Sequence, residues 1–245
     1  MKTSNHLLRR LTAALLAAVL ALSIALPVFA SDDGDTIYIN SVSDLLSLAR
    51  SCAYDQWSVG KTVILQKDLS LEGMLWEPIP SFSGQFKGNG HTISDLTITG
   101  QYSPAGLFGI VEEQGSIESL SVRGVVSVSD SADTTTGGIV GINHGTLINC
   151  QFTGVVTGDS EVGGIVGRNE SEGTIDHGTA RAIVTGKSST GGIAGYNLGA
   201  ITGCTNVGSI NTEYPEASLD TDGFTAKMVD YINTVSYTHL TLPTI

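Results

Sequence analysis

A short glycine motif recurs four times in the middle of this 245-residue chain, and this repetition constrains the fold more than any other feature. Successive copies are spaced by 32, 26 and 28 residues. Their first and last glycines are Gly106 and Gly109, Gly138 and Gly141, Gly164 and Gly167, and Gly192 and Gly195. A period of about 20–50 residues is typical of repeat architectures, in which each unit packs on its neighbours.

The segments after the motif align without gaps on a further glycine, at Gly115, Gly145, Gly173 and Gly199. They are short, rich in β-branched residues and bounded by turn formers, so we expect two or three short strands in each copy. Such a unit cannot bury its apolar face alone, and its copies must stack. This predicts an all-β, right-handed parallel β-helix (β-solenoid) over 102–211. An antiparallel sandwich with coincidental spacing is the alternative.

Two polar columns follow from the same alignment. Asn143, Asn169 and Asn197 share one column, which favours a ladder of stacked amides over a ligand site. Cys150 and Cys204 share another but lie two rungs apart, about 9–10 Å, which is too far for a disulfide. We therefore expect buried free thiols, with Cys52 on the apolar face of a helix.

The residues from Phe82 to Ile98, followed by Gly-Leu-Phe-Gly and the Gly-Gly-Ile-Val-Gly copies, resemble the GLUG-motif repeat proteins of bacterial surfaces. The resemblance covers roughly 62–210. It implies a bacterial source and a β-helical extracellular region, often in adhesin-like proteins and sometimes beside a peptidase domain similar to the IgA1-cleaving metallopeptidases. Gly178 replaces the column cysteine in the third copy, with His177 beside it, so the cysteine column carries no expected function.

Residues 31–101 are predicted to form an N-terminal cap and irregular strands leading into the repeats. Thr36–Asn40 is expected to be a strand, followed by a helix capped by Ser43 and running to about Ala53. Val42, Leu45, Leu46, Ala49 and Cys52 or Ala53 would form its apolar face. This helix would cover the open edge of the first rung, which otherwise exposes unpaired strand groups. Lys61–Leu65 and Trp76–Ile79 are expected to be strands.

Both ends of the chain carry other signals. Residues 1–30 combine a basic head, an apolar run and small residues, which predicts a secretory signal peptide cleaved after Ala30, with an uncleaved anchor as the alternative. Residues 235–245 resemble a translated sequencing adapter, so 235–245 are interpreted as an artefactual tail and the gene is expected to continue. Residues 212–234 are then a truncated insertion between rungs.

Composition and charge exclude several classes. The 30 glycines have no period of three and prolines number only 6, which excludes collagen and Pro-rich disorder. The net charge is −12, and −15 over 31–234 because three of the 12 Lys and Arg residues lie in the leader. This acidity argues against a nucleic-acid partner.

Catalytic signatures are missing from the sequence. Neither His-Glu-x-x-His nor Gly-x-Ser-x-Gly occurs, so no catalytic residue, cofactor or metal site is predicted and no enzyme activity is expected. Some β-helices are polysaccharide lyases, with acidic Ca²⁺ ligands and a basic residue on one face. Here no carboxylate cluster recurs, and the basic residues are assigned to different columns: Arg123, Arg168, Arg181 and Lys187.

The sequence thus predicts a non-catalytic exported module, secreted or at a bacterial cell surface. It would act as an adhesin or stalk, with an unidentified glycan or protein partner. We expect a monomer without a membrane span in the mature segment. Two alternatives remain open: the non-catalytic N-terminal region of a secreted metallopeptidase, which a downstream His-Glu-x-x-His would indicate, and a polysaccharide lyase, which would release unsaturated sugars.

Overall fold

The computed structural model describes residues 35–54, 56–128 and 134–211. Among these residues the chain forms a β-solenoid in which every strand pairing is parallel, together with one short helix near the start. The prediction of a parallel β-helix is confirmed. The predicted signal peptide, the insertion over 212–234 and the tail over 235–245 lie outside the described residues.

The strands are numbered in chain order. Those ahead of the repeats are β1 (Thr36–Ile39), β2 (Thr62–Leu65), β3 (Leu69–Ser70), β4 (Ile79–Phe82), β5 (Gln85–Lys87) and β6 (Thr92–Gly100). The repeats contain β7 (Phe108–Val111), β8 (Ser116–Glu118), β9 (Ser121–Val128), β10 (Thr135–Gly137), β11 (Val140–Asn143), β12 (Thr146–Ile148), β13 (Gln151–Thr157), β14 (Glu161–Gly163), β15 (Val166–Asn169), β16 (Thr174–Asp176), β17 (Thr179–Thr185), β18 (Thr190–Gly191), β19 (Ala194–Asn197), β20 (Ala200–Thr202), β21 (Thr205–Asn206) and β22 (Ser209–Ile210).

Four parallel sheets run along the solenoid, and each turn of the chain adds a strand to several of them. Sheet A contains β1, β2, β5, β8, β12, β16 and β20; sheet B contains β3, β6, β9, β13 and β17, with β21 and β22 both beside β17. Sheet C contains β4, β7, β11, β15 and β19, and sheet D contains β10, β14 and β18. A repeat such as 135–157 therefore has four strands, where the sequence predicted two or three, because the Gly-Gly pair separates a sheet D strand from a sheet C strand.

The register reproduces the aligned columns. Leu147 pairs with Ile117 on one side and Ile175 on the other, and Val156 pairs with Val126 and Val184. Stacking equivalent residues at about 4.8 Å lets each backbone bond to the rungs on both sides. The gapless alignment made from the sequence is confirmed.

The helix α1 spans Val42–Ser51 and begins two residues earlier than predicted. Its N-cap is Ser41, not Ser43: the Ser41 hydroxyl accepts from the amide of Asp44 at 3.2 Å, and the Asp44 carboxylate accepts from the amide of Asn40 at 2.9 Å. The first bond satisfies an amide of the first turn, and the second resembles a capping box except that its donor, Asn40, precedes the N-cap. The amide of Asn40 also lowers the pKa of the Asp44 carboxyl, with a smaller contribution from Ser41.

The buried face of α1 differs in part from the predicted one. Leu45, Leu48 and Cys52 are buried in the core, while Val42, Leu46 and Ala49 pack against it only partly. Leu48 was missed because the prediction took the i, i+3, i+4, i+7 stripe from Val42. The helix packs on the first strands, β1 and β4, as expected for a cap.

The core of the first rungs along the chain is aromatic. Phe82, Phe86 and Phe108 are fully buried and form one cluster, with ring centroids 5.4 to 6.3 Å apart. Trp76 is also buried, and its indole N–H donates to the carbonyl of Leu107 at 3.1 Å. It lies outside any strand, so the predicted strand over Trp76–Ile79 is wrong: β4 begins only at Ile79.

Candidate functional site

The first glycine of each motif copy lies at a tight corner before a sheet C strand, and the last glycine lies within that strand. A Cβ on Gly138 would lie 2.3 Å from Cγ of Phe152, and one on Gly192 would lie 2.3 Å from Cγ of Asn206. A Cβ on the last motif glycine, Gly141, would lie 2.5 Å from Cβ of Pro104. These contacts are closer than any side chain permits, so the motif reflects close packing inside the rung. The motif residues Gly106, Gly109, Gly164, Gly167 and Gly195 are likewise closely surrounded.

The asparagine column is a hydrogen-bonded ladder. The Asn143 side-chain amide donates to Oδ1 of Asn169 at 2.7 Å, and the Asn169 amide donates to Oδ1 of Asn197 at 2.8 Å. Asn143 and Asn169 are fully buried, while Asn197 is exposed on the last described rung. On the other side the column continues with Val111 and Phe82, so the ladder begins where apolar side chains end. The amides bond to one another and to nearby carbonyls, which leaves little capacity for a ligand.

Two turn lengths follow the ladder positions. In the short turn, Oδ1 of Asn143 accepts from the amide of Gly145 at 3.2 Å, and the same side chain donates to the Gly145 carbonyl at 3.1 Å. In the longer turn, the amide of Gly173 bonds to the Glu170 carbonyl at 2.9 Å, so Asn169 is not needed for that amide. Asn169 still donates to the Gly173 carbonyl at 3.2 Å, so of these two turns only the one after Asn143 depends on asparagine to satisfy its glycine amide.

The cysteines are free thiols, as predicted. Cys52 and Cys150 are buried and Cys204 is partly buried. Burial raises the pKa of Cys150 to about 12 and that of Cys52 to about 11, and it also raises the pKa of Cys204. Because the thiolate is the reactive form, these groups are poor nucleophiles at neutral pH. Cys204 accepts a hydrogen bond from the amide of Gly178 at 3.2 Å, where the third copy lacks the column cysteine.

A column of left-handed residues at the corner between sheets A and B was missed by sequence reasoning. Ser119, Asn149, His177 and Gly203 have φ values of 51°, 53°, 52° and 62°. Glycine favours this conformation and asparagine and histidine are enriched in it, whereas serine is less common there. The signal was present, since all four residues directly precede the column of Leu120, Cys150, Gly178 and Cys204, but Ser119 does not by itself indicate a positive φ.

The outward face of sheet C carries a charged cluster centred on Arg168. Its Nε donates to the Glu161 carboxylate at 2.7 Å in a bidentate pair, and Glu170 lies at 3.5 Å. The guanidinium also lies 5.1 Å from the ring centre of Tyr196. The bond to Glu161 raises the pKa of Arg168, which therefore remains fully charged and paired.

The assignment of the basic residues to different columns is wrong for two of them. Arg123 and Arg181 both pair with Thr153, one on each side, so they share a single column of sheet B. Each lies eight residues after the alignment glycine of its copy, one position before the column of Gly124 and Gly154. Both arginines are exposed. Arg168 and Lys187 lie elsewhere, each in an ion pair, with Glu161 and Asp159 respectively.

Within the ranges that the structure describes, no three His, Cys, Asp or Glu residues are grouped so that they could hold a metal ion. A search of the same residues finds no helix with the length and hydrophobicity needed to cross a membrane.

The fold and its repeated residues together define a class: a parallel β-solenoid built of glycine-containing repeats, whose shared columns are structural. No protein-family model matches the chain. Its resemblance to the GLUG-motif proteins therefore stays a prediction.

Two relatives share part of the sequence. The chain is 31% identical over 155 residues to halomucin of Haloquadratum walsbyi, which covers 58% of this chain and 2% of that protein. It is 30% identical over 137 residues to a provisionally named Gly-rich membrane protein of Evansella cellulosilytica, which covers 40% of this chain and 16% of that protein. The chain thus matches only a small part of the length of these relatives.

One solved structure is also similar. It is the crystal structure of a provisionally named immunoglobulin A1 protease from Bacteroides ovatus, with 15% identity, a TM-score of 0.45, and coverage of 75% of this chain and 79% of the other.

Proposed function

We propose that this chain is a non-catalytic, exported β-solenoid module of a bacterial surface, which binds a glycan or a protein as part of an adhesin or stalk. The observation that carries the proposal is the continuous set of parallel ladders from β1 to β22, which holds outward side chains at fixed positions. Variable polar turns on a rigid scaffold are a common basis of recognition. The name of one relative, a Gly-rich membrane protein, supports a location at the cell envelope.

The non-catalytic part of the proposal is supported by what the repeated residues do. The buried asparagines bond to one another, and the cysteines are protonated at neutral pH because burial raises the pKa of each thiol. The Arg168 guanidinium is held by Glu161 and Glu170. These groups are engaged in maintaining the rungs.

Adhesion is tested by exposing the full chain to a panel of host and bacterial glycans and matrix proteins, with binding measured by biolayer interferometry. We expect saturable binding that depends on the fold. Gly154→Val, which places a side chain where a Cβ would lie 1.8 Å from the carbonyl oxygen of Gly124, should abolish it. The matched control Gly73→Ala, at a glycine with open space around it, should retain binding. A folded chain that binds no member of the panel would refute adhesion.

Two further measurements test export and the lack of catalysis. The protein recovered from outside the cytoplasm of an expressing bacterium should begin at Ser31, and recovery with an intact leader would refute cleavage after Ala30. Incubation with protein substrates, and with pectin-like polymers and Ca²⁺, should release neither peptides nor unsaturated sugars. Either product, absent from a Gly154→Val control, would show that the chain is an enzyme.

A further inference from the structure

The shared column of Arg123, Thr153 and Arg181, here called the arginine column, leaves two positive charges unneutralised. Both arginines are exposed on the outward face of sheet B. Among the described residues, neither belongs to any of the ion pairs, which involve Lys61, His91, Arg168, His177 and Lys187. Two strand steps separate the arginine backbones, about 9–10 Å at ~4.8 Å for each step.

The three strands of the column carry no negative charge, and Asp95, at the bulge of β6 opposite Arg123, accepts hydrogen bonds from the hydroxyls of Ser70 and Ser94. The strands β9, β13 and β17 contain no Asp or Glu, although acidic residues outnumber basic ones by 24 to 12 in the chain. The neighbouring outward positions, Ser121, Gln151 and Thr179, form one ladder of hydroxyl and amide side chains beside the arginines. The face therefore offers two cations at a fixed backbone spacing and several uncharged hydrogen-bonding groups.

The overall negative charge of the chain does not cancel this local pattern. At physiological ionic strength the Debye length is about 8 Å, so carboxylates on other faces are largely screened. An arginine without a partner keeps its full set of donors available, and its planar fork matches a carboxylate with two parallel hydrogen bonds. The remaining requirement is a ligand that presents carboxylates at a regular spacing.

We propose that the arginine column binds a linear polyuronate, an acidic polysaccharide that runs along the solenoid axis. Carboxylates on alternate sugars of an extended chain would face Arg123 and Arg181, and the side chains of Thr153 and Gln151 would bond to sugar hydroxyls between them. A single uronic acid reaches only one guanidinium, whereas a polymer reaches both and gains from the high effective concentration of its second carboxylate. The inference deepens the proposed adhesive function, and it rests on that function for an extracellular ligand.

The test measures binding of the full chain to polygalacturonate at physiological ionic strength by isothermal titration calorimetry. Arg123→Gln/Arg181→Gln should weaken binding by at least about tenfold, because each variant side chain loses a charge-assisted hydrogen bond. The matched control Arg168→Gln/Lys187→Gln removes the same number of positive charges from residues that already have carboxylate partners. It should change affinity by less than about twofold. Arg123→Lys/Arg181→Lys, which keeps the charge but loses the fork, should fall between the two.

Three outcomes would overturn the proposal: no binding of the unaltered chain to polygalacturonate, equal weakening by the two glutamine pairs, or tighter binding to dextran sulfate than to polygalacturonate. Galacturonate monomer should bind far more weakly than the polymer, and equal affinity for the two would also refute bridging of the column. Failure here removes the ligand class alone. The panel of glycans and proteins decides separately whether the chain is adhesive.

Discussion

Replacing the ladder asparagines by valine, which already occupies this column at Val111, gives a sharp test of the two turn types. Asn143→Val leaves two buried polar atoms without partners: the amide of Gly145 and Oδ1 of Asn169. Asn169→Val leaves one buried polar group without a partner, the second proton of the Asn143 side-chain amide. The Gly173 amide keeps its bond to the Glu170 carbonyl, and the Gly173 carbonyl still accepts from the amide of Ala200.

Each unsatisfied buried group costs about 1–3 kcal/mol. Asn143→Val should therefore lower the free energy of unfolding by about 4 kcal/mol and Asn169→Val by about 2 kcal/mol. For a chain of this size, the difference between them corresponds to about 4–8 °C in melting temperature.

The assay is denaturant and thermal unfolding of the full-length variants, followed by far-ultraviolet circular dichroism and by the fluorescence of buried Trp76. The outer ladder member supplies a reference, since Asn197→Val removes the acceptor of one proton of the buried Asn169 amide and should cost about 2 kcal/mol, as Asn169→Val does. Equal destabilisation by Asn143→Val and Asn169→Val, or a larger effect at Asn169, would refute the assignment of turn closure to the Asn143 side chain.

Three other outcomes follow from the same contacts. Gly154→Ala should prevent folding or destabilise by more than about 4 kcal/mol, since no shift of one side chain relieves a clash with the carbonyl of Gly124; loss of the β circular dichroism signal measures this. Ser119→Gly should raise the melting temperature, because glycine adopts a φ of 51° without the cost of about 1–2 kcal/mol that other residues incur. With its pKa at about 12, the Cys150 thiol should resist disulfide reagents at pH 8 and react faster as the pH rises towards 12, while partly buried Cys204 reacts first.

Each of these outcomes has its own control. Gly73→Ala tests the clash argument, because that glycine shares a left-handed φ but has nothing within 4 Å of its Cβ position, so its cost should stay near 1–2 kcal/mol. Ser127→Gly, in an extended strand, should destabilise where Ser119→Gly stabilises. Unfolded, unreduced protein should titrate three thiols, and a count of one would mean that two cysteines form a disulfide.

The rungs were predictable because solenoid packing places the same residue type at the same point in every turn. The alignment on Gly115, Gly145, Gly173 and Gly199 reproduced the strand register, and the spacing of the cysteines excluded their pairing. Corners were less predictable, because their conformation depends on backbone contacts across rungs. Serine at position 119 does not indicate a left-handed φ by itself; only its column partners Asn149 and Gly203 do.

The outward face was the least predictable part of the chain. Apolar columns repeat because they fill a shared core, whereas exposed columns vary from rung to rung. Arg123 and Arg181 could have been found by extending the gapless alignment to the position before Gly124. Their significance depends on the absence of ion pairs around them in the described residues, and this information exists only in three dimensions.

The in-register stacking of sheet A limits the length that the chain can span along the solenoid axis. Its seven strands span only about 29 Å along the axis, at ~4.8 Å for each step, although they use more than 160 residues of polypeptide. The same number of residues as an extended chain would reach more than about 500 Å. A solenoid of this kind is therefore an inefficient way to gain reach. What each added copy supplies is another row of side chains held at a fixed lateral position, so duplication of the repeat enlarges a binding face more than it lengthens a tether.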